Sequence, residues 1–262
     1  MLVLFGPAPR SMITAFLVSR LTGAKPTPRD QGRQFYFDET TDADETDYDA
    51  TYRGFKERFG GLDFLEDDKL YEIVEDEVFW ASRYRSPDRF ILIFSVLAQI
   101  EREGTRGYLA QKSPESKEMK DRIRRVTGEF RRAKGYITLQ EDARNKVLVG
   151  RASLEHDIAD LVLRHFAKKR PGHTIALLGD DTVHICYNNE ILVDSRKRFP
   201  EKLTRKDAGR YWTLLSDVKH LESRRDPKYS AEPLPKNYWR WVGEGAQEES
   251  TPPKVTLEDF GA

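Results

Sequence analysis

Cysteine is almost absent from this chain: Cys186 is the only one. A lone thiol forms no intramolecular disulfide, which fits a reducing compartment. It also excludes a cysteine-ligated iron–sulfur cluster or a multi-cysteine zinc site built from this chain alone. Long hydrophobic runs are missing too. The longest, Phe90–Ile100, is too short to span a bilayer. The N-terminus lacks the basic, apolar and small-residue order of a signal peptide. A cytoplasmic protein with no membrane contact is therefore expected. Net charge is lacking as well, with 44 Lys and Arg against 44 Asp and Glu, so the molecule as a whole is not drawn to polyanions. Nucleophile signatures are absent: there is no Gly-x-Ser-x-Gly elbow and no Gly-Lys-Ser/Thr phosphate loop. Five scattered histidines do not make a metal set, and no cofactor is expected.

What is present is unevenly spread. Residues 1–113 carry a net charge of −5, residues 114–210 a net of +7, and residues 211–262 a net of −2. A local basic region steers a ligand where the mean charge does not. A well-mixed charged surface is the alternative. With 262 residues the chain is long enough for one large or two small domains. The expected fold is α+β, a helical N-terminal half packed against a mostly antiparallel β-sheet with crossing helices. Residues 1–243 are expected to form a single domain, helix-rich over 1–134 and sheet-rich over 135–243. Residues 244–262, polar and proline-bearing, are expected to form a flexible tail.

Along the chain, Met1–Phe5 reads as a strand and Ser11–Leu21 as a helix. A polar connection over 25–49 holds an expected strand, Gln34–Phe37, and an acidic run from Asp38 to Asp47. That run lacks the glycine and glutamate of a calcium hand and reads as a solvated loop. Helices are expected over Tyr48–Phe59 and Asp63–Trp80. A third opens at Ser86-Pro87-Asp88 and is apolar almost all round, which implies a buried helix. A fourth runs from Ser113-Pro114-Glu115 to Lys134, stopped by Gly135. Its inward face is Met119, Ile123, Val126, Phe130 and Ala133. Strands follow at Tyr136–Gln140 and Lys146–Arg151, then a helix from Leu154, capped by Ser153, to Lys169. A meander of Thr174–Leu178, Thr182–Tyr187 and Glu190–Val193 comes next, turned at Gly179-Asp180-Asp181 and Asn188-Asn189. Thr204–Val218 reads as a last helix.

The chemistry-bearing residues cluster in the second half. Arg131, Arg132 and Lys134 close one helix, and Lys168, Lys169 and Arg170 close another, with His165 just before them. Cations at helix C-termini complement the dipole and need no ligand. If the sheet brings both helix ends together, the same residues form a phosphate-holding cluster. Lys236, Tyr238, Trp239 and Arg240 interleave cations with aromatics, a pattern that stacks on bases or docks the C-terminus onto the core. His156 and Asp157 fall in an expected first helical turn. There His156 is either solvent-exposed or a general acid–base group with a neighbouring carboxylate.

Three blocks carry a resemblance to a known family: Phe130–Ile137; Glu155–Ile158 continued by His165–Gly172; and Arg225–Lys228 followed by Leu234–Arg240. In order and spacing they resemble DUF4130, a domain of unknown function labelled a DNA metabolism protein. The likeness extends from about residue 1 to 243. This chain departs from the family pattern in placing His156 before Asp157, and in having Ile175-Ala176 where relatives carry a tryptophan. The resemblance implies DNA repair or modification beside a radical-SAM protein, whose cluster this chain cannot itself hold. In the tail, Leu257 and Phe260 have the spacing of a sliding-clamp-binding peptide, an aliphatic anchor and an aromatic plug three residues later.

The expected function is thus a DNA-associated protein in repair or modification, acting with a radical-SAM partner. Two alternatives stand beside it: an accessory subunit that docks on such an enzyme without touching DNA, and a DNA-processing enzyme using His156 and Asp157. Whether the chain is an enzyme stays open at this point.

Overall fold

A computed structural model describes residues 1–32, 39–142 and 146–196. Strand β1 (Leu2–Phe5) leads through Gly6-Pro7 into helix α1 (Pro9–Thr22). Strand β2 (Lys25–Pro28), a single turn α2 (Arg29–Gly32) and strand β3 (Thr40–Asp42) follow. Three strands form a wholly parallel sheet in the order β2-β1-β3. This small sheet is absent from the sequence reading. β2 contains two prolines, which cannot donate to a ladder, and such a segment survives only at an edge, where β2 lies.

The acidic run is built into the structure rather than left as a solvated loop. Arg29 grips Asp42 through Nη2–Oδ1 at 2.7 Å and Nε–Oδ2 at 3.0 Å, and it also reaches Asp44. Asp47 caps α3 (Tyr48–Phe59) by accepting from the Ala50 N–H at 3.1 Å, a bond that satisfies one orphan donor of the first turn. The expected strand at Gln34–Phe37 lies outside the described residues.

Helices α4 (Asp68–Ser82), α5 (Arg89–Leu109) and α6 (Pro114–Tyr136) make up the rest of the N-terminal part. α4 starts later than expected because Asp63–Leu65 forms a separate 3-10 turn and Asp67 is the cap. α5 is not buried all round: Ile93, Val96, Leu97 and Ile100 face the core, while Ile91 is 70% exposed. It also breaks at Gly104, whose φ of 73° and ψ of 163° only glycine adopts readily. α6 has the expected start, with Ser113 Oγ accepting from the Ser116 N–H at 3.0 Å. It runs past Gly135 to Tyr136, so the strand expected at Tyr136–Gln140 is instead β4 (Gln140–Asp142).

Five strands form the second sheet in the order β4-β5-β6-β7-β8, with β5 at Val147–Arg151, β6 at Thr174–Leu178, β7 at Thr182–Tyr187 and β8 at Glu190–Ser195. The pairings are antiparallel except β5–β6, which is parallel and crossed by α7 (Ala159–Lys169). The meander has the expected bounds but for two further residues in β8. Asn188 and Asn189 take φ of 48° and 66°, the two left-handed positions of a tight hairpin. The period of two sorts the sheet faces. Val183 and Ile185 pack with Val147, Val149, Ala176, Leu178 and Leu192. On the opposite face Cys186 packs with Leu148, Ile175, Leu177 and the inward side of α7.

One apolar core lies around β1, α1 and α3, and another between α7, α6 and the five-stranded sheet. α4 and α6 belong to both: Val74, Val78 and Met119 enter the first, Phe79, Trp80, Val126 and Phe130 the second. No helix among the described residues is long and apolar enough to cross a membrane.

Candidate functional site

The sheet-rich part holds a cavity of about 480 Å³ at the C-terminal end of α7, within the range of about 300–1,000 Å³ usual for ligand sites. Its position follows from local sequence. Lys168 and Lys169 fall in the last turn of α7, where cations favour the helix dipole. Arg170-Pro171-Gly172 then reverses the chain into β6, Gly172 taking the positive φ of 78° that the turn needs. The Asn188-Asn189 hairpin closes the other side. Arg164, Lys168 and His173 line the cavity, with Ala167, Pro171 and Cys186 as its apolar wall.

The electrostatics are one-sided. Among the described residues no carboxylate lines the cavity; Glu141 of β4, which is not part of that lining, lies near His173, with Nε2–Oε1 at 3.4 Å. Arg164 Nε is buried without a hydrogen-bond partner among the described residues, and Arg164 Nη1 makes only a long contact, 3.5 Å, to the Asn189 carbonyl. A buried guanidinium N–H left unpaired is costly, and an acceptor entering the cavity is one way to meet it. Burial pushes the Cys186 thiol up, with Arg164 and the Asn189 N–H pulling it partly back, so the wall stays uncharged.

The two basic helix ends are not brought together. Lys169 leads into Thr174, at the start of β6, which pairs with Val147 at the start of β5. α6 exits at the far end of these strands. A Cβ placed on Gly150 would lie 2.8 Å from Leu139 and 3.1 Å from Ile137. Strand length, about 13 Å at the usual rise per residue, separates the two ends. Arg131 and Arg132 are exposed there, and Lys134 lies over the Phe130 ring at 4.9 Å. Tyr136, 82% exposed, follows Arg132 by four residues on the same helix face. The sequence reading missed it by placing it in a strand; extending the helical period past Gly135 would have paired it with Arg132.

The remaining candidates are placed differently. His165 is buried edge-on to Phe166. α7 begins at Ala159, not Leu154, so His156 and Asp157 precede the helix. Nor is His156 solvent-exposed: it is 8% exposed, its ring centroid 4.7 Å from that of Tyr84. Its Nδ1 has no hydrogen-bond partner among the described residues. Glu129 of α6 accepts from the Glu155 and His156 N–H groups at 2.6 and 3.0 Å. The Asp157 carboxylate holds Arg89 at 2.6 Å and Arg85 at 3.2 Å. These bonds tie the segment before α7 to α6 and to the α4–α5 turn with the first residue of α5. Lys236, Tyr238, Trp239, Arg240, Leu257 and Phe260, and the expected helix Thr204–Val218, lie outside the described residues. Among the described residues, no three His, Cys, Asp or Glu side chains are grouped to hold a metal ion.

A family model described as a domain of unknown function, DUF4130, matches residues 87–244. The match spans the cavity, α6 and the five-stranded sheet, and leaves β1 through α4 outside it. No curated protein matches the chain.

Proposed function

The chain belongs to the DUF4130 family, and from that premise we propose that it is a nucleic-acid-associated protein of DNA repair or modification, holding phosphates at the α7 cavity and acting with a radical-SAM partner. The observation that carries the reading is the one-sided cavity, where Arg164 has a buried Nε with no hydrogen-bond partner among the described residues, beside Lys168 and His173. Guanidinium, ammonium and imidazole donors, with no carboxylate among the described lining residues, suit a phosphate oxygen cluster. Lys169 and Arg170 are exposed at the same end of α7 and extend the basic surface outward. Arg131, Arg132 and Tyr136 supply a second contact at the far end of the strands, two cations beside an aromatic face of the kind that stacks on a base.

The radical-SAM partnership rests on the family resemblance in the three sequence blocks. The sliding-clamp contact through Leu257 and Phe260 rests on their spacing alone. An acid–base role for His156 and Asp157 draws less support. Two arginines engage the Asp157 carboxylate and Tyr84 covers the His156 ring.

The test is fluorescence anisotropy of labelled single- and double-stranded DNA titrated with the full chain at low and physiological salt. Binding that weakens steeply as salt rises is expected, because phosphate contacts release counterions. Absence of binding at low salt would overturn the reading and favour the accessory subunit that docks without touching DNA.

A further inference from the structure

The α7 site is a concavity, and that geometry restricts which phosphate enters it. A continuous duplex backbone presents a convex row of diesters, each with one negative charge. Lysines on an open ridge suit such a row. A cavity of about 480 Å³ enclosed by a helix end and a hairpin admits a group that projects from the end of a strand.

We propose that this cavity receives the terminal phosphomonoester of a nucleic-acid strand, with Arg164, Lys168 and His173 as its donors. The inference rests on the nucleic-acid reading above and names its substrate class. A monoester carries a charge of about −1.5 to −2 at neutral pH and three strongly accepting oxygens, against one charge on a diester. The donor set matches that surplus. Arg164 presents a planar fork whose buried Nε has no hydrogen-bond partner among the described residues. Lys168 lies one helical turn further along α7 and makes no ion pair among the described residues. His173 enters from the start of β6, its Nε2 3.4 Å from Glu141 Oε1. The wall between them, Ala167, Pro171 and Cys186, has no charged side chain and offers His173 Nδ1 the Pro171 carbonyl at 3.4 Å.

The experiment compares one labelled single strand in three forms, 5′-phosphorylated, 3′-phosphorylated and hydroxyl-terminated at both ends, against the full chain. Lys168→Ala and Arg164→Lys are measured alongside the parent. Lys168 is exposed, so its variant tests the site even if the Arg164 variant fails to fold. The expected result is at least tenfold tighter binding of one phosphorylated form, with the gain abolished by Lys168→Ala. Equal affinity for all three forms, each salt-dependent, would overturn the terminal-phosphate site and leave the nucleic-acid reading standing. A nucleoside monophosphate that binds as tightly as the phosphorylated strand would support the monoester site and remove the strand from the account. No binding of any strand or monophosphate would overturn both.

Discussion

Arg83 and Asp160 form a two-point ion pair across the junction of α4 with α7, Nη1–Oδ1 at 2.6 Å and Nη2–Oδ2 at 3.0 Å. Their side chains are 14% and 4% exposed. Arg83 also donates to the Asp157 carbonyl at 2.8 Å, so one guanidinium ties the end of α4 to the start of α7. Removing one partner strands the other charge in the protein. Arg83→Ala is expected to cost about 3–5 kcal/mol, read by urea unfolding. A loss below about 1 kcal/mol would make this pair no stronger than an exposed one.

Acid stability has a named contributor in Asp88. The Arg122 guanidinium, bonded to both its oxygens at 2.9 and 2.8 Å, holds the Asp88 carboxyl well below the usual carboxylate range, with the Ser86 hydroxyl adding to the effect. A carboxyl with a lowered folded-state pKa stabilises the fold above its unfolded value, about 3.9 for aspartate. That contribution is lost as pH falls from there towards the lowered folded value. Asp88 is half exposed, so solvent screens the pair and the effect is small. Melting temperatures between pH 5 and pH 2.5 are expected to fall less steeply in Asp88→Asn than in the parent. Parallel curves would contradict the assignment.

Gly104 interrupts α5, and the segment after it is capped from a distance. The Asp63 carboxylate accepts from the Thr105 N–H at 2.9 Å and from its hydroxyl at 2.6 Å. Gly104→Ala places a Cβ on a backbone that only glycine tolerates, at an expected cost of about 1–3 kcal/mol. Thermal unfolding checks it; an unchanged midpoint would mean that α5 straightens without penalty.

Burial raises the Cys186 thiol, which leaves little thiolate near neutral pH. Native protein is expected to react slowly with an aromatic disulfide reagent at pH 8, and denatured protein rapidly. Fast native reaction would show an open α7 cavity wall.

Legibility in the sequence followed the kind of signal each element carries. The stripe Met119, Val126, Phe130 and Ala133 and the cap at Ser113 were enough to place α6, because period and capping are local. Alternation in Thr182–Tyr187 likewise sorted Ile185 from Cys186. The parallel sheet escaped notice because β2 and β3 are short, proline-bearing or acidic. Their pairing with β1 depends on residues far along the chain. Lys168 was legible as a cation at a helix end, but the cavity beside it was not. That cavity needs Asn188 and Asn189 to turn back over α7, which tertiary packing decides. The same packing buried His156, which local pattern left in solvent, and sank His165, expected to be half-buried on the flank of the α7 stripe, fully into the core.

The most direct measurement is the salt slope of binding of a terminally phosphorylated DNA strand to the parent chain and to Lys168→Ala, read by anisotropy across salt concentrations. If the α7 cavity holds a phosphate, the slope of log affinity against log salt is expected to fall by about 1 in the variant, with weaker binding throughout. An unchanged slope and affinity in Lys168→Ala, with the parent still binding DNA, would contradict the assignment of the cavity as the phosphate site.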